Sequence, residues 1–200
     1  MAAPSNRVLL MLAAFLGSLA IALGGILWLT KDIRPGDGVA QQGAVGGPFT
    51  LTDQDGKAIT NEAFRGKPFL IFFGFTHCPD VCPTTLFEIS EIMRKLGKDA
   101  DHTAALFVSV DPERDTPEKL KDYLSNFDPH LRGATSTPDG IAAIAKSFRV
   151  YYKKVPTSGD DYTMDHTALV YLMDKDGRFV APFNIKRAPE ASAEELRRYF

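Results

Sequence analysis

The residues best suited to chemistry in this 200-residue chain are its two cysteines, the only ones it contains. Cys78 and Cys82 are four positions apart and a proline follows each, in a Cys-Pro-x-x-Cys-Pro pattern. A gap of two residues would indicate a redox pair. The gap of three still permits a disulfide, and it also suits two sulfurs that converge on one metal ion. Core packing alone does not explain the repeated Cys-Pro pair.

A metal held by two sulfurs needs a further donor, and the chain has four histidines. His102 and His130 lie in polar turns. His77, beside the first cysteine, should point away because side chains alternate along an extended segment. His166 is the favoured candidate, at the start of an apolar stretch, and the adjacent Asp165 could orient its ring. Two thiolates with one imidazole suit copper, or zinc if a fourth ligand joins them.

Two other polar features lie in or near these motifs. Asp80, between the cysteines, is expected either to hydrogen-bond to turn amides or to meet a basic partner. Residues 111–115, Asp-Pro-Glu-Arg-Asp, contain three carboxylates. They are interpreted either as a catalytic carboxylate pair or, in the favoured interpretation, as a solvated loop that leads into a helix cap.

The elements that position the cysteines follow from the apolar pattern. Residues 69–73 form an apolar run that predicts a buried strand. Apolar residues at helical spacing after Pro83 predict a helix that stops at Gly97. Because proline is tolerated at the first helical position and the residue before it is not helical, Cys82 is predicted as the N-cap. The unpaired amides and the dipole of this helix should then favour thiolates.

The rest of the domain is predicted as alternating strands and helices. Further strands are expected at residues 49–52, 58–60, 104–110, 167–173 and 178–181. Further helices are expected from the N-cap Thr116 to about residue 126, at 140–148, and after a cap at Ser192, and residues 151–165 are interpreted as a polar loop. This order predicts an α/β, thioredoxin-like fold with an N-terminal β-hairpin extension.

The N-terminal part differs in composition from the domain. Residues 8–29 are 22 residues without a charge, long enough for a helix that crosses a bilayer. We therefore expect a short tail at 1–7, a transmembrane anchor at 8–29, a flexible tether at 30–48 and the thioredoxin-like domain at 49–200. A cleaved signal peptide is the competing interpretation, because small residues occur within the segment.

Composition excludes several classes of protein. The chain has 23 basic and 25 acidic residues, and no basic stripe indicates a nucleic-acid partner. Two cysteines are too few for a disulfide scaffold. The two cysteines are more typical of a functional site, and an exported location would let them cycle between dithiol and disulfide.

Three motifs resemble the Sco/SenC family of copper-binding, membrane-tethered, thioredoxin-like proteins. They are FFGFTHCPDVCPTTL at residues 72–86, VSVDPERDTP at residues 108–117 and Asp-His-Thr at residues 165–167. The resemblance extends from about residue 49 to the C-terminus. It implies that one copper, as Cu(I) or Cu(II), is bound by Cys78, Cys82 and His166.

The resemblance also implies a function, which is that of a metallochaperone rather than an enzyme. Family members help to load the binuclear copper centre of cytochrome c oxidase, by handing over copper or by reducing the cysteines of the acceptor. The implied partners are the copper-bearing oxidase subunit and a periplasmic copper chaperone or thioredoxin-like reductant. The implied location is the bacterial inner membrane, with the domain in the periplasm. The alternatives are a thiol–disulfide oxidoreductase, a redox or copper sensor, and a peroxidase of the same fold.

Overall fold

The computed structural model describes residues 15–18, 24, 45–159 and 161–200. Residues 15–18 and 24 are helical and belong to a separate unit, Met1–Gly43, while the other unit is Ala44–Phe200. The predicted tail, anchor and tether fall almost entirely outside the described residues. Among the residues that are described, no helix is both long and apolar enough to cross a membrane.

The described residues of the larger unit form nine strands and four α-helices. The strands are β1 (Thr50–Asp53), β2 (Ala58–Thr60), β3 (Phe69–Gly74), β4 (Ala104–Ser109), β5 (Leu131–Thr135), β6 (Tyr152–Pro156), β7 (Tyr162–His166), β8 (Val170–Met173) and β9 (Phe179–Pro182). The helices are α1 (Val81–Leu96), α2 (Pro117–Leu124), α3 (Pro138–Phe148) and α4 (Pro189–Arg197), and Asn61–Phe64 and Gly97–His102 are short 3-10 helices.

Seven of these strands form one mixed sheet in the order β2-β1-β5-β4-β3-β8-β9, and β6 pairs with β7 in a separate hairpin. Strands β3, β4 and β5 are parallel, while β8 runs antiparallel to β3 on its other side. All six residues of β3 are buried, as expected of a strand covered on both faces. Strand β3 therefore lies inside the sheet and leads directly to residues 75–80, which contain Cys78 and which we call the cysteine loop.

The N-terminal hairpin extension is present as predicted. Strands β1 and β2 pair antiparallel, with Leu51 opposite Ile59, and β1 also pairs with β5. The turn between them uses Gly56 at φ 75°, a conformation that glycine adopts without strain. The hairpin therefore extends the sheet beyond β5, on the side away from β8.

Helix α1 continues from the cysteine loop and buries one face. Its apolar stripe begins with Cys82 and continues through Leu86, Ile89 and Met93, a spacing of three or four residues. The helix stops at the predicted place, with Gly97 at φ 59°. It packs against α4. Because Cys82 is part of the buried stripe, folding of the helix carries its sulfur into the core.

Three regions differ from the sequence-based expectation, and one of them is the strand expected at 167–173, which begins only at Val170. Strand β5 was not expected, because its sequence, LRGAT, is short and interrupted by glycine. Gly133 is needed there, since a Cβ atom would lie 2.6 Å from Leu124 of the helix packed against it. The polar loop expected at residues 151–165 is instead the β6–β7 hairpin. The amino-acid sequence of this hairpin is as polar as that of a loop, because a two-stranded sheet leaves most positions exposed or half-buried.

Of the three predicted N-caps, one is correct and two are wrong, and the helix expected at 140–148 begins two residues earlier, at Pro138. Thr116 caps α2, accepting a hydrogen bond from the amide of Lys119 at 3.3 Å. Helix α4 starts at Pro189 rather than after Ser192, which is buried and donates its hydroxyl to the carbonyl of Asn184. Helix α1 starts at Val81 with Asp80 as the N-cap, so Cys82 is inside the first turn. The first four amides of a helix have no partner within it, which is why proline is tolerated at the third position.

Candidate metal centre

The three residues singled out by their chemistry lie together at the end of strand β3. The sulfurs of Cys78 and Cys82 and a ring nitrogen of His166 all lie within 4.8 Å of one another. Two bonds of about 2.3 Å to one metal ion reach donors up to about 4.6 Å apart. Small side-chain movements therefore suffice for all three donors to contact a single ion.

Cys82 is fully buried, and its neighbours leave no room beside it. The sulfur packs against Gly74, the last residue of β3, where a Cβ atom would be 2.7 Å from it. The same Cβ atom would be 2.8 Å from the ring of Phe107. The absence of a side chain at this position of the strand therefore creates the space in which the sulfur lies.

Cys78 is the more accessible cysteine, in the loop between β3 and α1. Its sulfur accepts a hydrogen bond from the amide of Cys82, 3.4 Å away at the start of the helix. Its own amide donates to the carbonyl of Phe75 at 3.3 Å. The loop is therefore a tight turn that directs the Cys78 sulfur toward the N-terminus of α1.

The buried carboxylate of Asp115 fixes this loop from the side. It accepts hydrogen bonds from the amide of Thr76 at 3.0 Å and from the Thr76 hydroxyl at 2.6 Å. The hydroxyl of Ser109, at the end of β4, donates to the same carboxylate at 2.6 Å. Asp115 thus ties the chain just before Cys78 to the end of the neighbouring strand.

His166 is contributed by the separate hairpin, at the last position of β7. Its Nε2 atom lies 3.5 Å from the sulfur of Cys82. Its Nδ1 atom is 3.2 Å from the carbonyl oxygen of Thr167, and because a carbonyl only accepts, Nδ1 carries the proton. The rings of Phe72 and Phe75 pack edge-on against the imidazole at 6.2 and 5.7 Å. The ring is therefore held with its unprotonated nitrogen toward the sulfurs.

Burial keeps the facing thiol and imidazole neutral when no metal is bound. It raises the pKa of the Cys82 thiol, and the nearby Cys78 sulfur acts in the same direction. It also lowers the pKa of His166. The expectation that the helix dipole would favour a thiolate is thus wrong for Cys82, because desolvation outweighs it. A metal ion that binds here displaces the thiol proton.

The lowered pKa of His166 predicts a pH dependence of stability. The unfolded chain binds a proton at pH values where folded His166 does not, so this contribution is present above the ordinary pKa of 6.5 and is lost as the pH falls through the folded-state pKa. We expect the metal-free protein to lose more stability between about pH 7 and pH 5 than the His166→Gln variant does. Urea unfolding of both proteins at several pH values measures the difference. Equal losses would contradict the prediction, since the other titrating groups are common to both.

The two carboxylates expected to support the site lie at its edge. Asp165 is exposed, and the hydrogen bond that it was expected to accept from the His166 ring is accepted by the Thr167 carbonyl instead. Asp80 is also exposed, and its carboxylate accepts a hydrogen bond from the Thr84 hydroxyl at 3.3 Å. In the described part of the chain neither carboxylate belongs to the group of donors that converges on the sulfurs.

The favoured interpretation of residues 111–115 as a solvated loop is wrong for both of its aspartates. Asp111 and Asp115 are 2% and 0% exposed. A signal for this was available, because the motif directly follows a buried strand parallel to β3, and the ends of parallel strands meet at one edge of a sheet.

The other three histidines, all described by the structure, do not belong to the group of donors that converges on the sulfurs. His77 is half-exposed, His130 lies between Asp128 and Asp101, and His102 packs near Phe200.

Comparison with known proteins identifies the family to which this sequence is similar. Residues 37–200 match the family model SCO1/SenC. The mitochondrial SCO1 homolog 1 of Arabidopsis thaliana is 37% identical over 165 residues, which cover 80% of this chain and 49% of that protein. This chain therefore spans about half the length of that relative.

Solved structures show the same fold. Bradyrhizobium japonicum ScoI with copper bound is 66% identical, with a TM-score of 0.77, and the match covers 78% of this chain and 100% of that one. BsSco, a member of the Sco family of cytochrome c oxidase assembly proteins in which a disulfide switch was identified, is 26% identical. Its TM-score is 0.62, and the match covers 77% of this chain and 92% of BsSco. The chain thus has the mixed α/β, thioredoxin-like Sco fold and belongs to the SCO1/SenC family.

Proposed function

We propose that this protein is a copper metallochaperone that helps to assemble the binuclear copper centre of cytochrome c oxidase. It holds one copper ion through Cys78, Cys82 and His166. The observation that carries this proposal is that their two sulfurs and one ring nitrogen lie within 4.8 Å of one another. The copper-bound ScoI relative and the oxidase-assembly role of the Sco family support it.

The donor set favours copper over a structural zinc ion. Thiolate sulfur is a soft ligand that selects Cu(I), and imidazole also suits the harder Cu(II). Structural zinc sites are almost always four-coordinate. The described residues bring three suitable donors together, one fewer than such a zinc site needs.

Three residues, Thr167, Cys82 and Cys78, have different roles in binding copper and in releasing it to the acceptor. Thr167 keeps the Nδ1 proton of His166 in place, so that Nε2 offers its lone pair without first losing a proton. Cys82 gives up its thiol proton as the ion binds. Cys78 is partly accessible, so an incoming cysteine of the acceptor reaches the ion beside it. Copper then leaves by exchange of one sulfur ligand for another.

We further propose that the protein is anchored in the bacterial inner membrane with its domain in the periplasm. The uncharged segment at residues 8–29 is long enough to span a bilayer. An oxidising compartment also lets the two cysteines cycle between thiols and a disulfide. The copper-bearing subunit of the oxidase is the acceptor, and a periplasmic copper chaperone or a thioredoxin-like reductant supplies copper or electrons.

Copper titration of the full-length protein tests the assignment. We expect one copper per chain, and loss of binding in Cys78→Ser and in Cys82→Ser. His166→Ala should weaken Cu(II) binding by more than the roughly 10–100-fold that follows loss of an outer partner of a ligand. His102→Ala, which removes a histidine far from the sulfurs, is the matched control. Unchanged Cu(II) affinity in His166→Ala would refute the three-ligand site.

A second candidate function is reduction of the acceptor's cysteines. Both sulfurs are free and close together, and the disulfide switch in BsSco is a related observation. In this reaction Cys78 attacks an acceptor disulfide, and Cys82 resolves the mixed disulfide. The protein's two thiols lose two electrons and two protons, and the acceptor gains two thiols. Cys82→Ser should trap the mixed disulfide, and His166→Ala should leave the reaction nearly unchanged, unlike copper binding.

A further inference from the structure

The loop at residues 111–115, between β4 and α2, contains a second buried carboxylate that the metal centre does not use directly. Asp115 fixes the cysteine loop, as described above. Asp111 is 2% exposed, and a buried charge is costly unless it is paired and hydrogen-bonded. The partners of Asp111 therefore indicate what the rest of the loop does.

Asp111 is shared between its own loop and the hairpin that carries His166. One oxygen accepts from Nε of Arg114 at 2.5 Å, and the other accepts from the hydroxyl of Tyr162 at 2.8 Å. The guanidinium carbon of Arg114 lies 3.7 Å from the centre of the Tyr162 ring. Arg114 also donates to the carbonyl of Tyr162 at 2.9 Å. We call these three residues, Asp111, Arg114 and Tyr162, the Arg114 latch.

The latch and the third metal ligand are at opposite ends of the same short strand. Tyr162 is the first residue of β7 and His166 is the last. The β6–β7 hairpin is not part of the main sheet, so its position depends on contacts with other elements. At the far end, the imidazole contacts the rings of Phe72 and Phe75 and approaches the Cys82 sulfur at 3.5 Å. Because both ends belong to one short strand, a fixed start of β7 restricts where its end lies.

We propose that the Arg114 latch is a positioning device that sets the distance between the His166 nitrogen and the two sulfurs. The loop at residues 111–115 contacts both segments that supply the metal donors, the cysteine loop and the β6–β7 hairpin. Asp115 binds the cysteine loop, and Arg114 with Asp111 binds the histidine hairpin. The role of the latch in copper binding rests on the proposed copper function, but the mechanical link between the loop and the hairpin exists without copper.

A second contact between this loop and the hairpin is too exposed to have the same effect. Lys154 of β6 forms an ion pair with Glu113 at 2.7 Å, and their side chains are 46% and 61% exposed. Exposed pairs of this kind contribute little to stability. Arg114, whose side chain is 17% exposed, makes a charge-assisted contact with a buried carboxylate and stacks on a ring. We therefore assign the positioning role to Arg114.

Hydrogen exchange in the metal-free, full-length protein tests the mechanical link. In Arg114→Ala, amides of residues 162–166 should exchange at least about tenfold faster than in the wild type, because the start of β7 is released. Tyr162→Phe keeps the ring but loses the hydrogen bond to Asp111, and should give a smaller change at the same amides. Lys153→Ala, an exposed cation on the neighbouring strand, is the matched control and should give no change. Unchanged exchange in both latch variants would overturn the proposal.

The affinities for Cu(I) and Cu(II) test whether the latch positions His166 for copper binding. Arg114→Ala should weaken Cu(II) binding about 10–100-fold, the usual effect of losing an outer partner of a ligand. Cu(I) binding should change far less, because both sulfurs remain in place. A general loss of stability would instead weaken both. If Arg114→Ala does not fold, Tyr162→Phe decides, and an unchanged ratio of the two affinities in it would overturn the proposal.

The His166→Ala variant separates failure of this inference from failure of the proposed function. If His166→Ala binds Cu(II) as the wild type does, the three-ligand site is refuted and the latch has no role in copper binding. If His166→Ala loses Cu(II) affinity while both latch variants keep it, the copper site stands and the latch proposal is refuted. Loss of Cu(II) affinity in His166→Ala and in the latch variants supports both.

Discussion

Replacing Gly74 by alanine should destabilise the protein and impair its metal centre. This is the opposite of the usual effect, because alanine in place of a strand glycine normally stabilises a protein. Alanine in place of a strand glycine ordinarily stabilises by about 0.5–1 kcal/mol. Here the added Cβ atom would lie 2.7 Å from the Cys82 sulfur, 2.8 Å from the Phe107 ring and 3.2 Å from the Phe72 ring. Insertion of a methyl group into a packed core costs about 1–3 kcal/mol. The overpacking therefore outweighs the gain.

The same substitution in a Cys82→Ala background provides the control. Removing the sulfur removes the nearest of the three contacts, so Gly74→Ala should cost less there than in the wild type. Such coupling between touching residues is typically about 0.5–3 kcal/mol. Urea unfolding of the four proteins measures the coupling, and copper titration of Gly74→Ala measures displacement of the sulfur. If Gly74→Ala is as stable as the wild type and binds copper equally well, the close packing described at this sulfur is incorrect.

Replacing Asp115 by alanine should lower stability more than the loss of any exposed carboxylate does. The buried carboxylate accepts three hydrogen bonds, from the amide and hydroxyl of Thr76 and from the hydroxyl of Ser109. Each buried donor left without an acceptor costs about 1–3 kcal/mol, and water or rearrangement satisfies some of them. We expect a loss of about 2–4 kcal/mol, which for a protein of this size lowers Tm by roughly 4–16 °C.

Asp139→Ala is the matched control for Asp115→Ala. Asp139 is an exposed aspartate in the first turn of α3, where its interaction with the helix dipole is worth about 0.3–1 kcal/mol. Thermal unfolding of both variants, followed by circular dichroism, gives the comparison. Equal Tm values would show that Asp115 is not needed to fix the cysteine loop. Copper titration of Asp115→Ala should also show weaker binding, since the loop leading to Cys78 is no longer tied to β4.

The sequence was sufficient to predict the elements whose periodicity is strong. Strand β3 is an uninterrupted apolar run and α1 has a regular buried stripe, so both were expected close to their observed places. The β6–β7 hairpin was missed because only one of its ten strand residues, Met164, is buried, so no periodic apolar pattern marks it. Strand β5 was missed because it contains Gly133, whose role depends on a helix that packs against it.

The site residues could be named from their chemistry, but their supports could not. Two cysteines and a histidine of suitable spacing and context are visible in the sequence. The hydrogen-bond partners of Asp111 and Asp115 are not, because Tyr162 and Thr76 are 51 and 39 positions away along the chain. The pKa of Cys82 was expected in the wrong direction for a similar reason. Helix position is a local property, whereas desolvation depends on the whole core.

X-ray absorption at the copper edge of the loaded, full-length protein tests the central claim most directly. We propose that both sulfurs and the imidazole of His166 bind one copper ion. For Cu(II), we therefore expect sulfur ligands from Cys78 and Cys82 together with an imidazole nitrogen. In His166→Ala the imidazole signal should disappear while the sulfur signal remains, and His102→Ala should match the wild type. A wild-type spectrum without sulfur ligands, or an imidazole signal that persists in His166→Ala, would contradict the account.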